Sequence, residues 1–429
     1  MKDILLEKAF LEPERWRTAM NKGLDKGISE KEIAMLQAPE FRAYICKRIA
    51  DGEYQISPPH IALIPKDTPG EFRTVYINEN VDRVLLSLVN DLLFDLCPGM
   101  IHKSCKSYQK GLSCGKTVVE LSNYISKTKT TVVGWKSDLS KYFDSVPIEY
   151  IDAAFDSVER KFGKSSLLDV VRDYYHSDLY IDPEETDENG NPTILAKYQS
   201  LKQGCAVASW LANVLLYDLD DKLSRLNGKY VRYSDDMMFV GDDHQKAMTI
   251  LTSHLAGMGM KLNPKKVEQI DKDHWVKFLG YSIKGSQISL SSTGIKRFQK
   301  EIEDATINVK GITYEKAKQN VYKVMYKGYL GYSWASRVLR IINVDKDINV
   351  LNGFVMDCLR AVQTGKKHLG GLGFVSHQKI GCIQRGTGRN VKANRQKVPT
   401  LEHYYTVKCM AIAIRTSRAA FDALVAMEL

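Results

Sequence analysis

The sequence has no hydrophobic run long enough to cross a membrane and no CxxC cysteine pair. Its apolar runs all stop short of the about 20 residues that a membrane-spanning helix needs. The opening residues, MKDILLEKAFLEPERW, mix acidic and basic side chains, which is not the pattern of a signal peptide. The eight cysteines are scattered along 429 residues, as reduced thiols usually are. We therefore expect a cytoplasmic protein with no membrane partner.

The sequence contains partial matches to a zinc finger and to a phosphate-binding loop, but it completes neither. Cys97, His102, Cys105 and Cys114 supply enough ligands for zinc, but their spacing matches no usual zinc finger. The stretch GLSCGKT at 111–117 is similar to a phosphate-binding loop, but its glycines enclose three residues where the loop needs four. We expect neither a zinc finger nor a P-loop nucleotide hydrolase.

Positive charge is present in excess and is concentrated near the end of the sequence. The whole chain has a net charge of +10, and residues 358–429 alone carry +9. Such asymmetry predicts a polyanionic partner, most simply a nucleic acid. Phe374, Tyr404 and Tyr405 lie among these basic residues, and interleaved aromatic side chains favour RNA or DNA. A solvated basic face is the alternative interpretation.

The hydrophobic periodicity predicts both helices and strands, so the expected fold class is α+β or α/β. Residues 1–50, 81–96, 208–223 and 244–260 show helical patterns, and the chain after residue 290 is again helical. The predicted strands are two short ones around a Pro/Gly turn at 61–77, one beginning at 130, a hairpin at 230–241, and one at 276–283.

Three aspartates follow predicted strands and suggest metal-dependent chemistry. Asp138 comes directly after an apolar strand, and Asp235 and Asp236 lie at the tip of the hairpin. Asp is a common turn residue, which is the simpler explanation of the hairpin pair. Clustered carboxylates repel one another unless a cation or a proton intervenes, and Mg²⁺ is held in proteins by one or two carboxylates. Asp144 is a second candidate for the position of Asp138, but it does not follow the strand directly.

Seven stretches resemble, in order, the sequence motifs of reverse transcriptases, and together they are far more specific than any one alone. They are PKDTPGEFRTVYI (65–77), KSYQKGLSC (106–114), SDLSKYFDSV (137–146), QGCAVASWLANVLLYDLD (203–220), YSDD (233–236), GMGMKLNPKKVEQI (257–270) and FLGYSI (278–283). The form RYSDD is most similar to bacterial members found in group II introns and retrons.

The resemblance implies the α+β class, as a right-hand polymerase fold with fingers, an antiparallel palm sheet and a helical thumb. The expected divisions are an N-terminal helical region at 1–57, fingers at 58–135, a palm at 136–285 with a fingers insertion at 160–202, a thumb at 286–375, and a basic C-terminal extension at 376–429.

The resemblance also assigns roles to individual residues. The catalytic and metal-binding carboxylates are Asp138, Asp235 and Asp236. The nucleotide-binding residues are Lys66, Arg73, Phe143, Gln203, Gly204 and Lys266. The primer or template contacts are Tyr233, Phe278, Leu279 and Gly280. Phe143 is expected under the sugar of the incoming nucleotide, where a bulky ring clashes with a 2′-hydroxyl and so favours deoxynucleotides.

The implied activity is RNA-directed DNA synthesis, assisted by two Mg²⁺ ions or by Mn²⁺ in their place. The implied partners are deoxynucleoside triphosphates, a DNA primer or product, and an RNA template such as a structured non-coding RNA. The oligomeric state is left open. An RNA polymerase, a template-independent or protein-primed DNA polymerase, and a non-catalytic RNA-binding protein on the same scaffold are the alternatives.

The lineage within the family is indicated by what is missing. We find neither the Cys- or His-rich region common in group II intron enzymes nor the Asn-Ala-x-x-His segment of retron enzymes. The chain is therefore most similar to the prokaryotic defence-associated "unknown group" lineages. This resemblance implies a partner non-coding RNA and protection against phage.

Overall fold

The computed structural model describes residues 2–24, 27–66, 70–128, 133–176, 200–327, 334 and 338–364. These residues fall into two compact units. Of the described residues, the first unit contains those up to Leu112 and those within Val133–Gln269, and the second contains those within Ser113–Val132 and those from Ile270 onward. Residues 177–199 of the fingers insertion predicted at 160–202, and the whole of the basic extension predicted at 376–429, lie outside the described residues.

Helices and strands follow one another as in an α+β protein. The helices are α1 Ile4–Phe10, α2 Pro13–Leu24, α3 Glu30–Gln37, α4 Pro39–Ala50, α5 Asn80–Leu96, α6 Cys114–Lys127, α7 Tyr142–Ser145, α8 Ile148–Phe162, α9 Ser166–His176, α10 Ala208–Val214, α11 Tyr217–Ser224, α12 His244–Gly257, α13 Ser292–Ala305, α14 Tyr314–Tyr322 and α15 Asp345–Thr364. The strands are β1 His60–Pro65, β2 Phe72–Ile77, β3 Val133–Asp138, β4 Lys229–Tyr233, β5 Asp236–Val240, β6 Glu268–Asp271, β7 Val276–Phe278, β8 Tyr281–Lys284 and β9 Gln287–Leu290.

The helical pattern predicted for residues 1–50 is confirmed, and its breaks have local causes. Helix α3 begins at a capping box, in which Ser29 and Glu32 each bond to the other's backbone N–H. Helix α4 begins with Pro39, a residue that suits the first turn because it has no N–H to satisfy. Trp16 is fully buried, and its indole N–H donates to the carbonyl of Ala9, which joins α2 to α1.

The first unit is built around the sheet order β4-β5-β3-β6. Strands β3 and β5 are antiparallel, with Gly134 opposite Val240 and Asp138 opposite Asp236. The core beside this sheet contains fully buried residues of β5, such as Met237 and Phe239. The predicted hairpins at 61–77 and 230–241 are both confirmed, as β1–β2 and β4–β5.

Two elements predicted as continuous are each divided, and both of these predictions are wrong. The helix predicted at 208–223 consists of α10 and α11, because Leu216 has φ −106° and ψ 18°, which is not helical. The strand predicted at 276–283 consists of β7 and β8, because Leu279 and Gly280 have φ of 50° and 83° and form a turn. Leu216 is fully buried and suits a helical pattern, so periodicity gives no signal of this break.

The second unit contains α6, the sheet β7-β8-β9 and helices α13 to α15. Phe298 and Ile302 on α13 are buried, and the ring of Phe298 lies 5.1 Å from that of Trp334. The hydroxyl of Ser122 donates to the carbonyl of Gly285, which fixes α6 against the β8–β9 turn.

In the described part of the chain, every helix is too short or too polar to cross a membrane.

Candidate active site

The three predicted aspartates meet at one end of the first unit's sheet. Strand β3 ends at Asp138, and its antiparallel partner β5 begins at Asp236, so the two residues face each other in register. Asp235 occupies the turn between β4 and β5, and its carbonyl accepts a hydrogen bond from the N–H of Leu139. Residues about one hundred positions apart are thus adjacent, because antiparallel strands place the end of one beside the start of the other.

The electrostatics of this cluster show an unbalanced negative charge. Removal from water, together with the charges of Asp138 and Asp236, raises the pKa of Asp235 to about 6. Removal from water and the charge of Asp138 also raise the pKa of Asp236, against the opposing effect of Lys136 and Lys266. A further cation at this position would favour the ionised form of each carboxylate.

Lys266 places one positive charge beside this cluster through a direct ion pair with Asp138. Its Nζ lies 2.7 Å from Oδ2 of Asp138. The backbone fixes this approach, because Asn263 donates its N–H to the carbonyl of Asp138 and accepts from the N–H of Lys266. Partial burial works against protonation of Lys266, but the hydrogen bond and charge of Asp138 raise its pKa overall.

The donor set suits a hard divalent cation, because carboxylate oxygens are the ligands that Mg²⁺ prefers. In the described residues, no group of three or more His, Cys, Asp or Glu side chains is already arranged to hold a metal ion. At this cluster, Lys266 engages an oxygen of Asp138. The Lys266 side chain is 56% exposed, whereas that of Asp138 is 7% exposed, so the lysine is the partner with freedom to move.

The loop before α10 brings Gln203 and Gly204 against β2. The N–H of Tyr76 donates to the carbonyl of Gln203 over 2.7 Å. Gly204 has φ 111°, and a Cβ there would lie 2.5 Å from the carbonyl oxygen of Tyr76. Only glycine fits this position, because the conformation is strained for other residues and the space is taken. Gly204 is exposed, so its backbone is open to a ligand.

Lys202 is a residue of this loop that the sequence did not single out. Its side chain is 1% exposed, and its ammonium donates to the carbonyl of Tyr174 over 2.7 Å. The same ammonium lies 4.2 Å from the centre of the Tyr174 ring, a cation–π contact. We infer that this anchor helps to fix the loop. A lysine in a polar stretch carries no signal of burial, so the sequence offered no way to find it.

Phe143 lies beside the same loop and is half-buried. Its ring is 5.7 Å from that of Tyr142, and its carbonyl accepts from the N–H of Leu201 over 2.7 Å. The backbone contact joins α7 to the segment that carries Gln203 and Gly204. The role of Phe143 in sugar selection remains a prediction.

Lys66 and Arg73 are exposed on the β1–β2 hairpin, and each acts electrostatically on a different part of the first unit. Lys66 pairs with Glu71 over 3.4 Å. Burial raises the pKa of Asp144 in α7, and the charges of Lys141 and Lys66 oppose this effect. The charge of Arg73 reaches Tyr108, where it opposes the increase in pKa that burial causes. Both predicted phosphate-binding cations therefore lie within electrostatic range of residues near the site.

Tyr108 is a neighbour of the β4–β5 turn that the motifs did not single out. Its hydroxyl donates to Oγ of Ser234 over 3.4 Å, and its own φ is 57°. It lies within the quoted stretch KSYQKGLSC, so the motif pointed to this segment although not to this residue.

The predicted primer and template residues fall into two groups. Tyr233 is half-buried at the end of β4, opposite Asp236. Phe278, Leu279 and Gly280 belong to the second unit, where Phe278 is buried and the next two residues form the β7–β8 turn. Their contacts with a primer remain predictions.

Comparison with known proteins now identifies the family. The profile described as reverse transcriptase (RNA-dependent DNA polymerase) matches residues 64–283, which is about half of the sequence and contains all three aspartates. The chain belongs to the reverse transcriptase family. A comparison with curated protein sequences finds no match. The predicted fold class is confirmed, as an α+β right-hand polymerase fold.

Solved structures similar to this reverse transcriptase family member include two yeast telomerases. Telomerase from Candida albicans, in complex with a fragment of telomeric RNA, is 11% identical with a TM-score of 0.42, over 90% of this chain and 67% of that one. Apo telomerase from Candida tropicalis is 13% identical with a TM-score of 0.44, over 86% of this chain and 67% of that one.

Proposed function

We propose that the chain is an RNA-directed DNA polymerase with its active centre at Asp138, Asp235 and Asp236. The observation that carries the proposal is the convergence of these carboxylates from β3 and the β4–β5 turn, with Lys266 against Asp138. The raised pKa of Asp235 adds support, because perturbed carboxylates are common at functional sites.

The chemistry follows from the groups that surround this cluster. The three aspartates would hold Mg²⁺, which when bound neutralises charge on the reacting phosphate and activates the primer hydroxyl. Lys266 would neutralise or protonate the pyrophosphate that leaves. The exposed backbone at Gly204 would lie against the nucleotide or the template, and Lys66 and Arg73 would contact the triphosphate.

Primer extension tests this proposal directly. The purified protein with Mg²⁺, deoxynucleoside triphosphates and a DNA primer annealed to RNA should lengthen the primer. Asp235→Asn should abolish extension, whereas Asp218→Asn, at an exposed position on α11, should leave it unchanged. Extension by the Asp235 variant at the wild-type rate would refute the assignment. Sequencing a product made without template would distinguish untemplated synthesis.

A substitution of Phe143 tests whether the protein selects deoxynucleotides, as a DNA polymerase does, or ribonucleotides, as an RNA polymerase does. If its ring clashes with the 2′-hydroxyl of a ribonucleotide, Phe143→Ala should raise the use of ribonucleotides relative to deoxynucleotides. Tyr142→Phe is a suitable control, because it keeps the neighbouring ring and removes only the hydroxyl bound to Ala212. An unchanged nucleotide preference in Phe143→Ala would remove Phe143 as the determinant.

We further propose a prokaryotic, defence-associated role with a structured non-coding RNA as template. This proposal is supported by the RYSDD form of the catalytic turn and by the concentration of positive charge in residues 358–429. Purification from the native host, followed by sequencing of the bound RNA and DNA, tests it. One recurrent RNA with complementary DNA is expected, and a random mixture of cellular RNAs would contradict it.

A further inference from the structure

The catalytic turn contains a residue in a conformation that its side chain does not favour. Ser234 has φ 59°, in the left-handed region, where a residue with a Cβ is less stable than glycine. Ser234 is 5% exposed and lies directly before Asp235. Any relaxation of Ser234 toward a more common conformation would rotate the peptide that carries Asp235. The structure must therefore contain interactions that keep the turn in place.

The N–H of Ser234 is held from one side by a fully buried pair. It donates to Oγ of Ser107 over 3.0 Å, and Ser107 Oγ donates in turn to Oδ1 of Asn213 over 2.7 Å. The side-chain amide of Asn213 returns a hydrogen bond to the carbonyl of Ser107 over 2.8 Å. Both side chains are 0% exposed. The acceptor of the Ser234 N–H is thus itself fixed at two points.

The carbonyl of Ser234 is held from the other side by Arg232. The guanidinium donates to that carbonyl over 3.3 Å and to the carbonyls of Ala212 and Asn213 over 2.9 and 2.8 Å. Arg232 and Asp220 are both 0% exposed and form a two-point ion pair, with distances of 2.8 and 2.6 Å. The planar guanidinium suits this arrangement, because it carries several donors in fixed directions.

These contacts converge because three separate segments pack beside β4. The N–H of Arg232 donates to the carbonyl of Ser104, and the N–H of Lys106 donates to the carbonyl of Arg232. This pairing extends the edge of β4 and places Ser107 opposite Ser234. Helices α10 and α11 contribute Asn213 and Asp220, which contact Ser107 and Arg232 respectively.

We propose that Ser107, Asn213, Arg232 and Asp220 form a positioning network that holds Ser234 in its left-handed conformation and thereby aims Asp235 and Asp236 at the reacting groups. These are positioning residues, since all four are 0% exposed and act on the turn through hydrogen bonds. The inference rests on the proposed polymerase function. It predicts that weakening the network lowers the rate of the chemical step more than the binding of nucleotide, because a misplaced carboxylate slows chemistry steeply.

Ser107→Ala tests the network with the smallest change, since it removes one hydroxyl and leaves the buried ion pair intact. In primer extension, kcat should fall about 10- to 100-fold while KM for deoxynucleotides changes less than about 3-fold. Hydrogen exchange of a peptide covering residues 230–240 should be faster at the Ser234 amide. Ser122→Ala is the matched control, because it loses one buried hydroxyl bonded to a carbonyl in the second unit.

The double variant Ser107→Ala/Ser234→Gly separates positioning from general loss of stability. Glycine adopts φ 59° without a Cβ penalty, so it should restore kcat by about 3-fold or more over Ser107→Ala. Wild-type kcat and unchanged exchange in Ser107→Ala would overturn the inference. So would equal losses of kcat in Ser107→Ala and Ser122→Ala. A wild-type protein that never extends a primer would instead refute the proposed polymerase function, and the exchange result would still decide the network.

Discussion

Replacing Asp235 with asparagine should stabilise the metal-free protein at neutral pH, although it destroys the proposed activity. Asp235 has a pKa of about 6 in the folded chain against an ordinary value of 3.8. Each unit of pKa difference corresponds to about 1.4 kcal/mol, so the ionised carboxylate costs the fold up to about 3 kcal/mol. Asparagine has a similar size and carries no charge, so it removes this cost.

The difference in stability between wild type and variant should depend on pH, because Asp235 titrates at different pH in the folded and the unfolded chain. Below about pH 4, Asp235 is protonated in both the folded and the unfolded chain, so wild type and variant should differ little. Between about pH 4 and pH 6, the unfolded chain releases the proton more readily than the folded chain, so wild-type stability falls as the pH rises. Above about pH 6 the full difference is present, and the variant should be more stable by up to about 3 kcal/mol.

Thermal unfolding in EDTA at pH 4 and pH 7.5 measures this difference. For a unit of about 250 residues, 3 kcal/mol corresponds to an increase in Tm of roughly 6 to 12 °C. Added Mg²⁺ should raise the Tm of the wild type and leave the variant nearly unchanged, since a ligand that binds only the folded state stabilises it. Asp218→Asn, an exposed change of the same chemistry, should shift Tm by no more than about 1 to 2 °C. A variant no more stable than wild type at pH 7.5 without metal would show that ionised Asp235 does not destabilise the fold.

Three further predictions follow from the same site. Gly204→Ala should destabilise the protein by at least about 2 kcal/mol and impair nucleotide use, because the new Cβ would lie 2.5 Å from the Tyr76 carbonyl at φ 111°; a denaturation midpoint equal to wild type would contradict this. Lys266→Gln should move the acidic limb of the pH–rate profile to higher pH, because it removes a cation that lowers the pKa of Asp236; an unmoved limb would show that this charge is not felt during catalysis. Arg232→Met should cost about 3 to 5 kcal/mol of stability by leaving Asp220 buried without its partner. Adding Asp220→Leu to that variant should recover much of the stability without recovering activity, and recovery of both would argue that the ion pair serves the fold alone.

Much of the local structure could be predicted from the sequence, and the failures have identifiable causes. The β4–β5 hairpin was predictable because apolar strands flank a short polar turn, and its aspartates fell at the tip as expected. The separation of α10 from α11 was not predictable, because Leu216 is apolar and fits a helical pattern although its backbone is not helical. Periodicity reports which side chains face the core, and it does not report every change in backbone direction.

Residues of the site were predictable where their spacing along the chain carried a motif, and not where packing alone joined them. The motifs located Asp138, Asp235 and Lys266, but not the ion pair in which Lys266 engages an oxygen of Asp138. Ser107 is separated from Ser234 by 127 positions, and nothing in either residue type indicates that one hydroxyl supports the other's backbone.

The family, the α+β class and the order of the elements follow from the motifs and the hydrophobic periodicity, because both are local properties of the chain. The three-dimensional arrangement was needed to show which groups share a hydrogen bond or a charge around the β4–β5 turn. Those interactions depend on distances of about 3 Å between segments far apart in the chain, and such distances are set by the packing of the whole unit.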